Sequence, residues 1–259
     1  MNQTGLFLPQ SAIWKLSRET VLLLGGPAAA ILQIAHPQIA LGVSRHSNFR
    51  EETLGRLHRT LEAVYTVTFS PRTEVEAMER RIRARHAPVQ GAEPQRYSAF
   101  DPAAQMWVLA TLIVVAVECY EAFVGPLTEE DREGYYRDMR EFGVWFGLDR
   151  TFGPAGWAEF ADYYQDMLNG DELCSLPVSR ELASHIAHPR QPLFLRLGWP
   201  ASNWAARRFL PSPVCEKLGF RRIGAGPVDD AIRDALGLLP PGLRYARQYL
   251  RAIDSEARP

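Results

Sequence analysis

The 259-residue sequence is poor in cysteine, in lysine and in net charge, and each scarcity excludes something. Cys119, Cys174 and Cys215 are far apart, odd in number and form no Cys-x-x-Cys pair. Neither a disulfide framework nor a cysteine zinc site is expected, and a reducing, cytoplasmic compartment fits this usage. A formal net charge of −1 argues against a nucleic-acid partner, which calls for a basic excess. Only Lys15 and Lys217 are lysines. The other basic residues are arginines, whose planar fork can hold two oxygens of an anion at once.

Familiar catalytic motifs are also missing. There is no Gly-x-Ser-x-Gly elbow, no GxxxxGK[ST] loop, no GxGxxG after a strand and no HExxH. An α/β-hydrolase, a nucleotide-binding loop and a zincin are therefore excluded. None of His36, His46, His58, His86, His185 and His188 has a glutamate three positions before it. That disfavours a carboxylate-bridged di-iron bundle. The stretch Met1–Gln10 shows no basic n-region of a signal peptide. Two apolar stretches, Val21–Ala35 and Ala103–Val117, fall short of the roughly 20 residues that span a bilayer. No transmembrane segment is expected, and contact with a membrane surface through the N-terminus stays open.

What is present reads as helix. Hydrophobic residues make up 46% and charged residues 23% of the chain, enough apolar surface for a sizeable core. Period-2 alternation is nearly absent. Helices are expected within Gln3–Arg18, over Arg18–Leu24 with Ser17 as N-cap, and over Pro27–Ala35, ending at His36-Pro37. The next run is Glu51–Phe69, whose Leu54, Leu57, Leu61, Val64 and Tyr65 share one face. Ser70-Pro71 should start a helix reaching about Ala87, with the stripe Val75, Met78, Ile82. Pro88–Arg96 reads as a loop. Asp101-Pro102 should open a long buried helix to about Val124, and Thr128-Glu129-Glu130-Asp131 another to about Phe146. Further helices are expected at Ala155–Leu168, after Ser179, and at Asn203–Phe209, Val214–Lys217, Pro227–Leu236 and Pro241–Ile253. The fold class is all-α, one multi-helix domain over 1–259 around a long buried central helix.

Three features carry candidate chemistry. His86 extends the stripe of Val75, Met78 and Ile82; it is either a core histidine or an axial haem ligand on an apolar helix face. Arg56 and Thr60 share a face near Val64 and Val67; Arg56 either snorkels or pairs with an acid, or serves a buried anionic group. Trp107 and Thr111 lie one turn apart on the long helix, with Glu118 two turns beyond. His185 and His188 have a metal-like spacing but no third ligand.

These residues sit within an ordered series of motifs. Ala35-His36-Pro37, Arg45-His46-Ser47-x-Phe49 and Arg56-Leu57-x-x-Thr60 come first. Arg80-Arg81-Ile82-Arg83-x-x-His86-Ala87-x-Val89-x-Gly91, Tyr97-x-Ala99-x-Asp101-Pro102 and Trp107-Val108-x-Ala110-Thr111 follow. In order and spacing, from about residue 30 to 150 and more loosely beyond, the chain resembles the latex-clearing protein/MpaB oxygenase family. The resemblance implies an all-α enzyme that binds haem b and its iron. It implies a dioxygenase-like reaction of O2 with a small apolar, unsaturated or isoprenoid substrate, with room for an electron donor. By motif, His86 corresponds to the axial ligand and Arg56 and Thr60 to a catalytic pair beside the haem; Trp107 and Thr111 are expected to contact the cofactor. Two positions depart from the family. Leu109 stands where many members have histidine, and Arg59 where latex-clearing members have a lysine able to approach the iron. The alternative is a helical haem or lipid carrier or sensor without turnover.

Overall fold

Asp101 and Pro102 begin the element on which the others are arranged. The computed structural model describes residues 5–47, 53–173, 176–188 and 199–256, with the side chains of residues 53–58, 199 and 256 outside the description. In chain order the helices are α1 (Ala12–Ser17), a 3₁₀ turn (Thr20–Gly25), α2 (Gly26–Ala35), α3 (Pro37–His46), α4 (Thr53–Phe69) and α5 (Arg72–His86). A two-stranded antiparallel hairpin, β1 (Gln90–Gly91) and β2 (Tyr97–Ser98), precedes α6 (Pro102–Phe123). Then come α7 (Glu129–Val144), α8 (Trp157–Asn169), α9 (Pro177–Ala187), α10 (Trp199–Phe209), α11 (Ser212–Leu218), α12 (Pro227–Leu238), α13 (Pro241–Arg244) and α14 (Arg247–Glu256).

The caps form where side-chain chemistry favours them. The Asp101 carboxylate accepts the Ala104 N–H at 2.9 Å, and Pro102 takes a first-turn position whose N–H would have no helical partner. Thr128 and Asp131 make a reciprocal capping box at 3.0 and 3.1 Å. Asp131 also accepts from the Lys15 ammonium at 2.7 Å, which ties α1 to the start of α7.

Helix α6 is apolar on all sides and is covered by several partners. The 3₁₀ turn, α2, α7 and α12 pack against it. A Cβ at Gly25 would overlap Val115 and Cys119, so glycine lets the 3₁₀ turn lie directly on α6. The Trp107 indole N–H donates to the Leu32 carbonyl at 2.9 Å, joining α6 to α2 inside the core. Trp14, Phe69 and Tyr249 meet edge to face at 5.1–5.9 Å and bring α1, α4 and α14 together. Cys119 and Cys215 are buried free thiols; Cys174 lies outside the described residues.

Several expectations are corrected. The first helix is the short one expected within Gln3–Arg18, but Ser17 is its buried last residue rather than the N-cap of the next. Pro37 begins α3 as well as ending α2, a helix whose Ala40, Leu41 and Val43 face the core. Pro71 is extended and α5 starts at Arg72, one residue later than Ser70-Pro71 suggested. The expected loop holds the β1–β2 hairpin, too short for alternation to show. The segment Pro241–Ile253 is broken at Tyr245, which is extended and bridges to Glu19. Helix α6 continues past Glu118, so at 22 residues it is long and apolar enough to cross a membrane, as is the bent pair Thr20–Ala35 and Pro37–His46 taken together. Of the most apolar stretch of α6, 61% is buried inside the fold.

Two polar features sit at the joints. Glu19 is fully buried, and its carboxylate accepts Arg244 Nε at 2.8 Å and Nη2 at 3.0 Å. This fork, with the Ala246 N–H donating to the Arg18 carbonyl at 2.8 Å, fastens the C-terminal segment to the N-terminal one. His36 occupies the 105° corner between α2 and α3 and is 8% exposed. Its Nδ1 has no hydrogen-bond partner among the described residues. Burial holds this imidazole below its usual range, against the opposing pull of Asp101 and Glu172.

Removing one partner of a buried pair leaves an uncompensated charge. Arg244→Met should therefore lower unfolding stability by about 3 kcal/mol, read by urea denaturation, whereas Arg247→Met at an exposed position should stay within about 0.5 kcal/mol. The His36 effect has a defined sign. Because its folded value is depressed, the unfolded chain takes the proton first as pH falls. The neutral ring's contribution is complete above the ordinary imidazole range and is lost as pH falls through and below it. His36→Gln should flatten the decline of melting temperature in that window; an unchanged pH dependence would show that His36 does not drive it.

Candidate functional site

A cavity of about 670 Å³ opens between α3, α4, α5, the hairpin, the first half of α6 and the end of α7. Its size falls in the usual range for small-molecule sites, roughly 300–1,000 Å³. The floor is apolar: Val108, Leu109 and Leu112 from α6, Phe142 from α7, and Phe146 and Leu148 beyond it. Gly143 permits this packing, since a Cβ there would stand 2.9 Å from Leu109 and 3.2 Å from Leu148.

The polar groups on the wall are nearly all cationic or neutral donors. Arg59 and Thr60 come from α4, Arg85 and His86 from α5, and His46 from α3. No aspartate or glutamate lines the cavity among the described residues. His86 is the last residue of α5 and is half-buried, edge-on to Phe100 at 6.4 Å. Val75 and Met78 are buried in the core, and Ile82 and His86, further along the same stripe, reach the cavity. Thr60 also lines it, on α4. The side chains of Arg56 and His58 lie outside the described residues, although both positions are on α4.

Trp107 and Thr111 are placed elsewhere. Both are fully buried on the side of α6 that meets α2 and α8, and neither lines the cavity. Trp107 stacks on Tyr164 at 5.8 Å, and Thr111 donates to the Val108 carbonyl at 2.7 Å. Thr111 touches the site only indirectly, by accepting the Gln33 amide at 3.2 Å. Val108 and Leu112, each one position further along the helix, face the cavity instead. Leu109, the position that departs from the family motif, lines the cavity, so a histidine in its place would face the same space. Glu118 is exposed beyond the far end of this region. His185 bonds the Glu181 carbonyl at 2.8 Å and His188 the Asn203 amide at 2.7 Å, both away from the cavity.

Sequence reasoning missed Arg85 and Tyr97, and held His46 only as a substitute iron ligand, with His36, should His86 not be one. Tyr97 is buried, and its hydroxyl lies 3.0 Å from His46 Nε2. Its signal was present in the Tyr97-x-Ala99-x-Asp101-Pro102 motif, but a tyrosine before a helix cap carries no spacing rule that aims it at a site.

The lining joins an apolar floor to guanidinium and imidazole groups, which would suit an apolar group that carries carboxylates. Among the described residues no three His, Cys, Asp or Glu side chains gather closely enough to hold a metal ion directly.

Two curated relatives are uncharacterized proteins of Mycobacterium bovis (Mb2261) and Mycobacterium tuberculosis (Rv2237). Each is 25% identical over 181 residues, covering 67% of this chain and 68% of the relative. No solved structure matches the chain. The family model described as "ER-bound oxygenase mpaB/B'/Rubber oxygenase, catalytic domain" matches residues 14–253, nearly the whole chain. The protein belongs to this oxygenase family, and its all-helical fold carries that family's catalytic domain.

Proposed function

We propose that the protein is a haem b-dependent oxygenase acting with O2 on a small apolar substrate that contains a double bond, as in an isoprenoid chain. One observation carries this reading: a single cavity joins an apolar floor to two guanidiniums, a threonine hydroxyl and the His86 imidazole, with no carboxylate on its described wall. Family membership supplies the oxygenase class.

In this reading His86 holds the iron through one ring nitrogen. Arg59 and Arg85 offset the propionate charge, which would be costly in an apolar cavity without a partner. Haem supplies the O2 chemistry when bound; the protein supplies ligation, orientation and dryness. Val108, Leu109, Leu112 and Phe142 hold the hydrocarbon and keep water from it. The Thr60 hydroxyl donates to an oxygen atom on which negative charge develops, and Arg56, one turn before it on α4, is assigned to the same side by motif. The guanidinium of Arg59 has no lone pair to give to iron, so it would serve as a charge partner and not as a ligand. An electron donor, if used, meets the protein outside the cavity.

Haem titrated into the cofactor-free protein should be taken up at one equivalent per chain, with a sharpened and shifted absorption band. His86→Ala should abolish or strongly reduce this uptake, whereas Leu109→Ala and the distant His188→Ala should keep it. Equal uptake by wild type and His86→Ala would remove His86 from the iron. Thr60→Val should cost about 1 kcal/mol of transition-state stabilisation, the value of one lost hydrogen bond, near a five-fold drop in O2 consumption with an unsaturated isoprenoid. Arg56→Ala should weaken haem binding or turnover more than cofactor-free stability, and Arg56→Lys should restore only part. Stoichiometric haem without O2 consumption on any unsaturated chain would favour a carrier or sensor instead.

A further inference from the structure

Tyr97 and His46 are neighbours on the cavity wall. Tyr97 is 3% exposed, while His46, at the end of α3, is exposed to solvent. Their polar atoms are 3.0 Å apart, and both residues line the cavity. The ring of Tyr97 is held tightly in this position. Gly91 pairs with it across the hairpin, and a Cβ on Gly91 would stand 2.6–2.7 Å from the Tyr97 ring edge and hydroxyl. The Arg45 guanidinium lies over the ring, 5.6 Å from its centroid.

We propose that His46 and Tyr97 form a proton relay connecting bulk water to the cavity. The inference rests on the oxygenase reading above. His86 is committed to the iron in that reading, and no carboxylate lines the described wall, so this pair supplies the acid–base function that the cavity otherwise lacks. The Tyr97 O–H bond breaks as its proton passes to an oxygen in the cavity. The His46 Nε2–H bond then breaks to restore the phenol, and the exposed ring regains a proton from water at its other nitrogen. Cleavage of a double bond by O2 into two carbonyl groups consumes no net proton, so the lent proton returns along the same path. Arg45 over the Tyr97 ring, and Arg59 and Arg85 on the cavity wall, are charged side chains on the surrounding elements among the described residues.

Cyanide tests the relay without turnover. Hydrogen cyanide must surrender its proton to bind ferric haem, and a relay accepts it. With haem-loaded protein in rapid mixing, Tyr97→Phe and His46→Gln should each slow cyanide association at least ten-fold while haem uptake stays stoichiometric. Millimolar imidazole should restore the rate of His46→Gly, whose position is open to solvent, but not that of Tyr97→Phe. Should Tyr97→Phe fail to fold, His46→Gln and the imidazole rescue decide the matter alone. Unchanged association rates in the variants at full haem content would overturn the relay and leave the oxygenase reading standing. Failure of the wild type to take up haem would refute that reading and the relay with it.

Discussion

A helix that carries no charge over most of its length and must be covered on every side governs this structure. Between Ala103 and Val117 helix α6 carries no charge, so each of its faces loses free energy wherever it meets water. The 3₁₀ turn rests on it through Gly25, α2 grips it through Trp107 and the Leu32 carbonyl, and α7 and α12 close two further sides. The face of Val108, Leu109 and Leu112 is left with a cavity instead of a neighbour. An apolar wall of this kind is a standing demand for an apolar ligand, and in this fold it lies within reach of histidine and arginine side chains from α3, α4 and α5.

The charge arrangement narrows what that ligand can be. Two guanidiniums and two imidazoles line the same cavity without a described carboxylate among them. Away from the cavity, arginines pair with acids of the fold: Arg244 with Glu19, Arg208 with Asp229, Arg132 with Glu121. The haem proposed above would meet the floor, the guanidiniums and the imidazole together.

The sequence makes the helical skeleton legible because its signals are local. Asp101-Pro102 is cap chemistry, readable within four residues, and caps α6 as expected; the acids after Thr128 mark the start of α7, where the structure adds a Thr128–Asp131 capping box. The stripe from Val75 to His86 is equally local, and it leads to the cavity. The face of α6 could not be read in that way. With apolar residues all round, periodicity does not distinguish Trp107 and Thr111 from Val108 and Leu112, and only packing against α2 decides which pair faces the cavity. Long-range pairing hid the rest. The break at Tyr245 depends on Glu19, and the placement of Tyr97 depends on Gly91 across a two-residue hairpin. The helix after Pro37 escaped because a proline that ends one helix can also begin the next.

In the proposed function the uncovered face of α6 and His86 together enclose one iron-bearing cofactor. Anomalous diffraction at the iron edge, on crystals grown from haem-loaded protein, tests this directly. One iron peak per chain is expected inside this cavity, bonded to a ring nitrogen of His86 and flanked by Val108 and Leu109. An iron peak bonded instead to His36 or His46, or bound at the protein surface while the cavity stays filled by other matter, would contradict it.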